Sequence, residues 1–436
     1  MSKCLSRKPF IVLLENRIRQ IIYTMLVASC SLTIGMCLEW TWSTTNIEMY
    51  QTLRLKNLLF LGAITSAGPA AMVASLIGLK AVLIIGMLFT FCGSVIIMYS
   101  MSVLMVLYTG RILQGFGAGI VCVIVPNYAA EIADPKIRSL LTGFHYIHLL
   151  IGMIFSRVTS EFHNYSNMNM GIVAMVVVNL LVLLAVDDPP YYQMKFYEEW
   201  TSVYNLDYNL QIQDNCSTKL LNNNYYKIFE SEDNHYLFLF FTQKRFRRPL
   251  LINVCLISIQ QFCGHIFLTN KFQCLHGVLT ISETIPNVTE ILLLQLIASI
   301  ICLYIVSVSE KTNLLIISGF GMAITLLLMN ATYHIDIIDK DELWLPSLIL
   351  FYIIFYSIGY GPIPWILMPE ICPRSSRLWI SGVTVSLYAF LSLVNNQSFY
   401  ENIRLVYAME IFTFLSVICA YFVYLFLPKI KDCVQT

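Results

Sequence analysis

The stretch Pro126-Asn127-Tyr128-Ala129-Ala130-Glu131-Ile132-Ala133-Asp134-Pro135-Lys136-Ile137-Arg138 has a counterpart far along the chain, Pro364-Trp365-Ile366-Leu367-Met368-Pro369-Glu370-Ile371-Cys372-Pro373-Arg374-Ser375-Ser376-Arg377. Each is a proline inside an apolar run, then Glu-Ile where the run ends, then a proline, then an arginine seven residues after the glutamate. The surrounding chain is 57% hydrophobic and 12% charged, with a mean hydropathy of +0.69. Those values lie outside the range of soluble domains. Two copies in such a chain predict a duplicated membrane protein. Parallel repeats of this kind place a substrate site between the two halves.

A bilayer span needs about 20 mostly apolar residues. Twelve runs meet that length, six before residue 188 and six after residue 248. The expected fold is an all-α membrane protein, twelve transmembrane helices in two six-helix bundles. The bundles are residues 1–187 and 249–436, joined by a polar cytoplasmic linker over 188–248. Neither linker nor tails have room for a soluble catalytic domain.

Lysine and arginine favour the cytoplasmic side. With the N-terminus inside, Lys80, Lys136, Arg138, Lys311, Arg374 and Arg377 fall there, together with the basic residues of the linker and both tails. Only Arg54, Lys56, Arg157, Lys271, Lys340 and Arg404 fall outside. Both termini are therefore expected in the cytoplasm of a multi-pass plasma-membrane protein. The first apolar run is too long for a signal-peptide core and is expected to remain as a span. The sequons at Asn164, Asn287, Asn330 and Asn396 fall at or near outer loops in this topology, with Asn164 and Asn287 the expected glycosylation sites. A net charge of +1 points to no nucleic-acid partner. The 13 cysteines are scattered without metal-ligand spacing, so free buried thiols are expected, with no metal and no cofactor.

Four places carry polar chemistry inside apolar runs. In Gly110-Arg111-Ile112-Leu113-Gln114-Gly115-Phe116-Gly117-Ala118-Gly119, the glycines make a face for close helix packing. Arg111 is a charge at membrane depth, which marks either an interior network or a snorkelling side chain. In Gly359-Tyr360-Gly361-Pro362-Ile363-Pro364-Trp365, two glycines and two prolines should break the helix. A membrane tolerates such a break only where the freed backbone groups find partners or line a cavity. Gly359, Gly361, Pro362 and Pro364 are the expected hinge. Trp365 beside it is either a flat platform for a sugar ring or an interfacial anchor. Gln260-Gln261 places two amides in an apolar run, to bind vicinal hydroxyls or to bridge helices. Gln295 is a weaker case of the same kind. His145 and His148, three apart, are expected to be satisfied structural histidines.

Taken together, these motifs resemble the sugar porter family of the major facilitator superfamily, and within it the insect facilitated trehalose and glucose transporters. The resemblance covers nearly the whole chain. It implies two bundles that rock about a central sugar site, with Gln260, Gln261, Gln295 and Trp365 as substrate contacts. It also implies a cytoplasmic gate of Glu131, Arg138, Glu370 and Arg377, with Arg111, Lys80 and Lys311 as further ion-pair residues. Several family positions differ here. Tyr146 stands for a glutamine, Ile266 for an asparagine, and Tyr388-Ala389 for Asn-Trp. The segment Asp188-Pro189-Pro190 looks like a worn Pro-Glu-Ser-Pro signature. Lys80 and Lys311 alone remain of two arginine-rich loops.

The expected activity is facilitative transport of a hexose, a trehalose-like sugar or a polyol by a monomeric protein in the lipid bilayer, not an enzymatic reaction. The alternative is a non-transporting sensor or degenerate paralogue. Proton symporters of the family carry an aspartate where Cys37 stands, with Glu39 two residues on. The lost arginines predict weak closure at the Glu131/Glu370 end, and hence a resting preference for the state open there.

Overall fold

A computed structural model describes residues 17–40, 49–100, 103–162, 165–189, 244–269, 288–334, 344–396 and 405–427. Among the described residues the chain is helical, and twelve helices are long and apolar enough to cross a membrane. In the first half they are α1 (Arg17–Glu39), α2 (Met49–Ile77), α3 (Leu79–Met98), α4 (Leu104–Ile132), α5 (Arg138–Phe162) and α6 (Tyr165–Ala185). In the second they are α7 (Lys244–Phe262), α8 (Val288–Val308), α9 (Lys311–His334), α10 (Trp344–Ile358) with α11 (Ile363–Glu370), α12 (Arg377–Asn396) and α13 (Leu405–Phe426). Helix is the only open form that satisfies every backbone group within one segment in lipid. The runs are accordingly apolar on all sides, and large side chains such as Leu181, Leu184, Phe414 and Tyr421 lie exposed on the outer surface.

Small residues let the spans approach closely. Gly62 on α2 and Gly115 on α4 face one another so tightly that a Cβ on either would strike the backbone of the other helix. Gly35 on α1 and Gly152 on α5 form a second such crossing. The first-half core extends into the second half through Trp365, Met368, Leu378 and Val385. The halves meet chiefly where α12 packs on α2 and α8 packs on α5. Of the expected linker, residues 190–243 lie outside the described residues, as do Asn164 and Asn287.

The expected break in the tenth span is present: α10 stops at Ile358 and α11 restarts at Ile363. A second break was not anticipated. The seventh span loses its helix after Phe262, passes through Gly264 at φ 97°, and resumes over 265–269. Only glycine takes that conformation without strain. A side chain there would also meet the Phe412 ring at 2.7 Å. The signal was Gly264 itself, four residues beyond Gln260.

Candidate functional site

The two sequence copies lie at the same end of the bundle and bond across the halves. Arg377 donates to Glu131 at 2.5 Å, and Arg374 reaches the other carboxylate oxygen at 3.2 Å. The Glu131 side chain is 6% exposed and that of Arg377 10%. Glu370 accepts from Ser139 of the first half at 2.7 Å and pairs with Lys311 of its own half. This end is therefore closed in the conformation described. The reason is that Arg374 and Arg377 come from the second copy itself, so the lost loop arginines were not needed to hold Glu131.

Three expected ion-pair residues are corrected by their surroundings. Arg138 does not mirror Arg377: it makes no contact ion pair among the described residues, and its Nε is buried without a partner, but it lies close enough to feel the charges of Glu370 and Glu131. Ser139 and Lys311 have taken its place on Glu370. Lys80 points away from the gate. Its backbone N–H donates to Asp188 at 2.7 Å, and its ammonium reaches the Leu184 carbonyl. Asp188 thereby caps α3, whose own N-cap, Gly78, has no side chain to offer. Burial raises the Asp188 carboxyl above its usual range, and the Lys80 amide counters this. Arg111 is fully buried near the opposite end of α4. It donates to the carbonyls of Cys37 at 3.0 Å and Leu55 at 3.4 Å and to Gln114 at 2.7 Å, with Trp40 4.9 Å away. It ties α1, α2 and α4 together and belongs to no carboxylate gate.

Between the halves lies a cavity of about 130 Å³, on the far side of the gate. Its wall brings together Gln260, Gln261, Gln295 and Trp365, which the sequence singled out, with Tyr146, His265, Tyr356 and Tyr388. Glu39 and Lys56 line it at the other end of the bundle, where Arg157 lies 3.4 Å from Glu39. Each amide has a distinct environment. Gln260 donates to the Gly361 carbonyl at 2.9 Å, so a backbone group freed by the tenth-span break finds its partner in the seventh span. Its Oε1 is buried without a partner. Gln261 is instead held by α12: Ser392 donates to its Oε1 at 3.2 Å and Asn395 to its carbonyl at 2.9 Å. Gln295 donates to Tyr146 at 2.7 Å, joining α8 to α5 across the halves.

Trp365 is 2% exposed and is no interfacial anchor. Its ring lies 5.2 Å from that of His145 and 4.9 Å from that of Tyr388. His145 bonds Ser31 at 2.7 Å but its Nε2 is buried without a partner, so it is not fully satisfied as expected, while His148 bonds the Phe144 carbonyl at 2.8 Å. Asn396 is buried in the cavity wall, where a glycan has no room. The nine described cysteines are unpaired; Cys92 is exposed, contrary to the buried expectation. Sequence reasoning missed His265 and Asn396. One followed the Gln-Gln motif by a few residues and the other was read as a sequon.

A family model described as "Sugar (and other) transporter" matches residues 21–433. Sugar transporter ERD6-like 6 of Arabidopsis thaliana is 26% identical over 400 residues, covering 85% of this chain and 78% of the relative. Facilitated trehalose transporter Tret1 of Bombyx mori is 24% identical, covering 78% and 68%. Among solved structures, the proton:xylose symporter XylE bound to 6-bromo-6-deoxy-D-glucose matches with a TM-score of 0.78 at 16% identity, covering 94% of this chain and 96% of that one. The inward-open xylose transporter XylE from E. coli matches with a TM-score of 0.65. The fold is that of the major facilitator superfamily, and the chain belongs to the sugar (and other) transporter family.

Proposed function

We propose that this protein carries a sugar or related polyol across the membrane by facilitated diffusion, alternating access about the central cavity. The observation that carries the reading is the cavity wall: aromatic faces beside amides, with the Gln260 Oε1 buried and unpartnered. Aromatic rings suit the C–H faces of a sugar, and amides suit its hydroxyls. The gate ion pairs supply an element that one of the two states makes and the other breaks. The two halves would be 1–187 and 249–436. Basic residues at the gate end support placing that end, the linker and both termini in the cytoplasm. Cys37, where symporters carry an acid, supports uncoupled transport.

Purified protein in liposomes, screened for uptake of hexoses, disaccharides including trehalose, and polyols, tests the reading. Saturable, gradient-dissipating uptake of at least one is expected. Absence of uptake and of binding across the panel, by folded protein, would overturn it.

The two amides divide their work. Gln260→Ala is expected to weaken sugar binding about tenfold, because a hydrogen bond to a buried group is worth roughly 1–3 kcal/mol. Gln261→Ala is expected chiefly to lower stability, by about 1–3 kcal/mol, because Ser392 loses its acceptor and Asn395 keeps only the backbone carbonyl of its two. Binding isotherms and thermal unfolding of both variants read this out. Equal loss of affinity at the two positions with stability unchanged contradicts it.

A further inference from the structure

We propose that His265 is a specificity-determining substrate contact, acting with Gln260 to recognise a pair of ligand hydroxyls; the inference rests on the transport reading above. His265 lines the cavity, just beyond the Gly264 break in the seventh span. The break is anchored by Tyr352, whose hydroxyl donates to the Cys263 carbonyl at 2.9 Å. The imidazole stacks on Tyr356 with centroids 3.9 Å apart and planes 11° apart, which fixes the plane of the ring. Its Nδ1 is buried and has no hydrogen-bond partner.

The Gln260 Oε1 in the same wall is also buried and unpartnered. Its orientation is forced, since flipping the amide would set Oε1 against the Gly361 carbonyl that now accepts from Nε2. Oε1 is therefore an acceptor that no group among the described residues satisfies. Buried polar atoms left unsatisfied are costly. Three lie in this cavity wall, and of these Glu39 Oε2 has Arg157 beside it while the other two have no charged neighbour to offset them and call for a common occupant. Gln260 requires a donor from it, and the neutral imidazole nitrogen requires a donor or an acceptor according to its tautomer. Hydroxyls on one ligand meet both needs, because each donates and accepts. A chloride or a carboxylate cannot donate to Gln260, and an apolar ligand satisfies neither atom.

The test uses His265→Phe, which keeps a ring to stack on Tyr356 and removes the nitrogens. Uptake and binding of a transported sugar are measured in proteoliposomes for native and variant protein, together with its series of single-deoxy analogues. The expected result is at least a tenfold rise in KM and Kd with the unfolding temperature little changed. One analogue, lacking the hydroxyl that His265 contacts, should bind both proteins equally. His265→Asn, which keeps a polar atom near the Nδ1 position, should recover part of the affinity. If His265→Phe does not fold, His265→Leu read against the same analogue series reports the same coupling. Native affinity in the folded variant for the parent sugar and every analogue would overturn the assignment while leaving the transport reading intact. Native protein that neither binds nor takes up any sugar of the panel would overturn both.

Discussion

Glu131→Gln should open the gate end. Arg377 and Arg374 both converge on this carboxylate, and the closest pair is shielded from solvent. Removing one partner of a buried pair costs about 3–5 kcal/mol, because the other charge is left without compensation. In the state open at this end the arginines regain water, so most of that cost falls on the closed state alone. Each 1.4 kcal/mol is a tenfold change in population, and a shift on the order of a hundredfold toward the open state is expected. Lys311→Ala should do less, since its pair with Glu370 is more exposed and lysine offers a point charge rather than a planar fork. The measurement is labelling of a cysteine placed in each vestibule, in a background with the exposed Cys92 replaced. Cys372, in the turn after Glu370, is replaced as well, because the burial that pushes its thiol up to about 12 belongs to the closed end. Labelling of Glu131→Gln that matches the native pattern at both ends would refute the gate assignment.

Uptake is expected to fall between tenfold and a hundredfold in Trp365→Ala. Trp365 sits one turn beyond the tenth-span break and is wedged between His145 and Tyr388 on the cavity wall. Loss of an aromatic platform is worth roughly 1–3 kcal/mol of ligand affinity by analogy with base stacking. The same truncation should also cost about 3–5 kcal/mol of stability, as buried tryptophans do. Uptake must therefore be expressed per folded molecule in the membrane. Trp365→Phe separates the two effects: it retains most of the packing and should keep the stability while losing part of the affinity. Normal uptake per folded molecule of Trp365→Ala would mean that this ring only fills space.

The sequence by itself determined the twelve spans, the tenth-span break and four of the residues that meet at the cavity, Gln260, Gln261, Gln295 and Trp365. These were legible because each rests on a local rule. A segment in lipid must be long, apolar and helical to satisfy its own backbone, and a helix must fail where Pro362 and Pro364 have no N–H to give. The copies around Glu131 and Glu370 were legible for the same reason, as a repeated order along the chain. Their partners were not. By sequence Arg138 and Arg377 are equivalent, yet Arg377 bonds Glu131 across the halves while Arg138 only feels the charges of Glu370 and Glu131 from nearby. Arg111 reads as a gate charge and serves as a donor to two backbone carbonyls. Gln260 and Gln261 read alike until the tertiary structure gives one the Gly361 carbonyl and the other α12. Only the tertiary structure could decide these, because they depend on which side chains of distant helices reach the same few ångströms, where short-range hydrogen bonds and ion pairs act. That meeting is set by the packing of whole helices, and local order along the chain does not encode it.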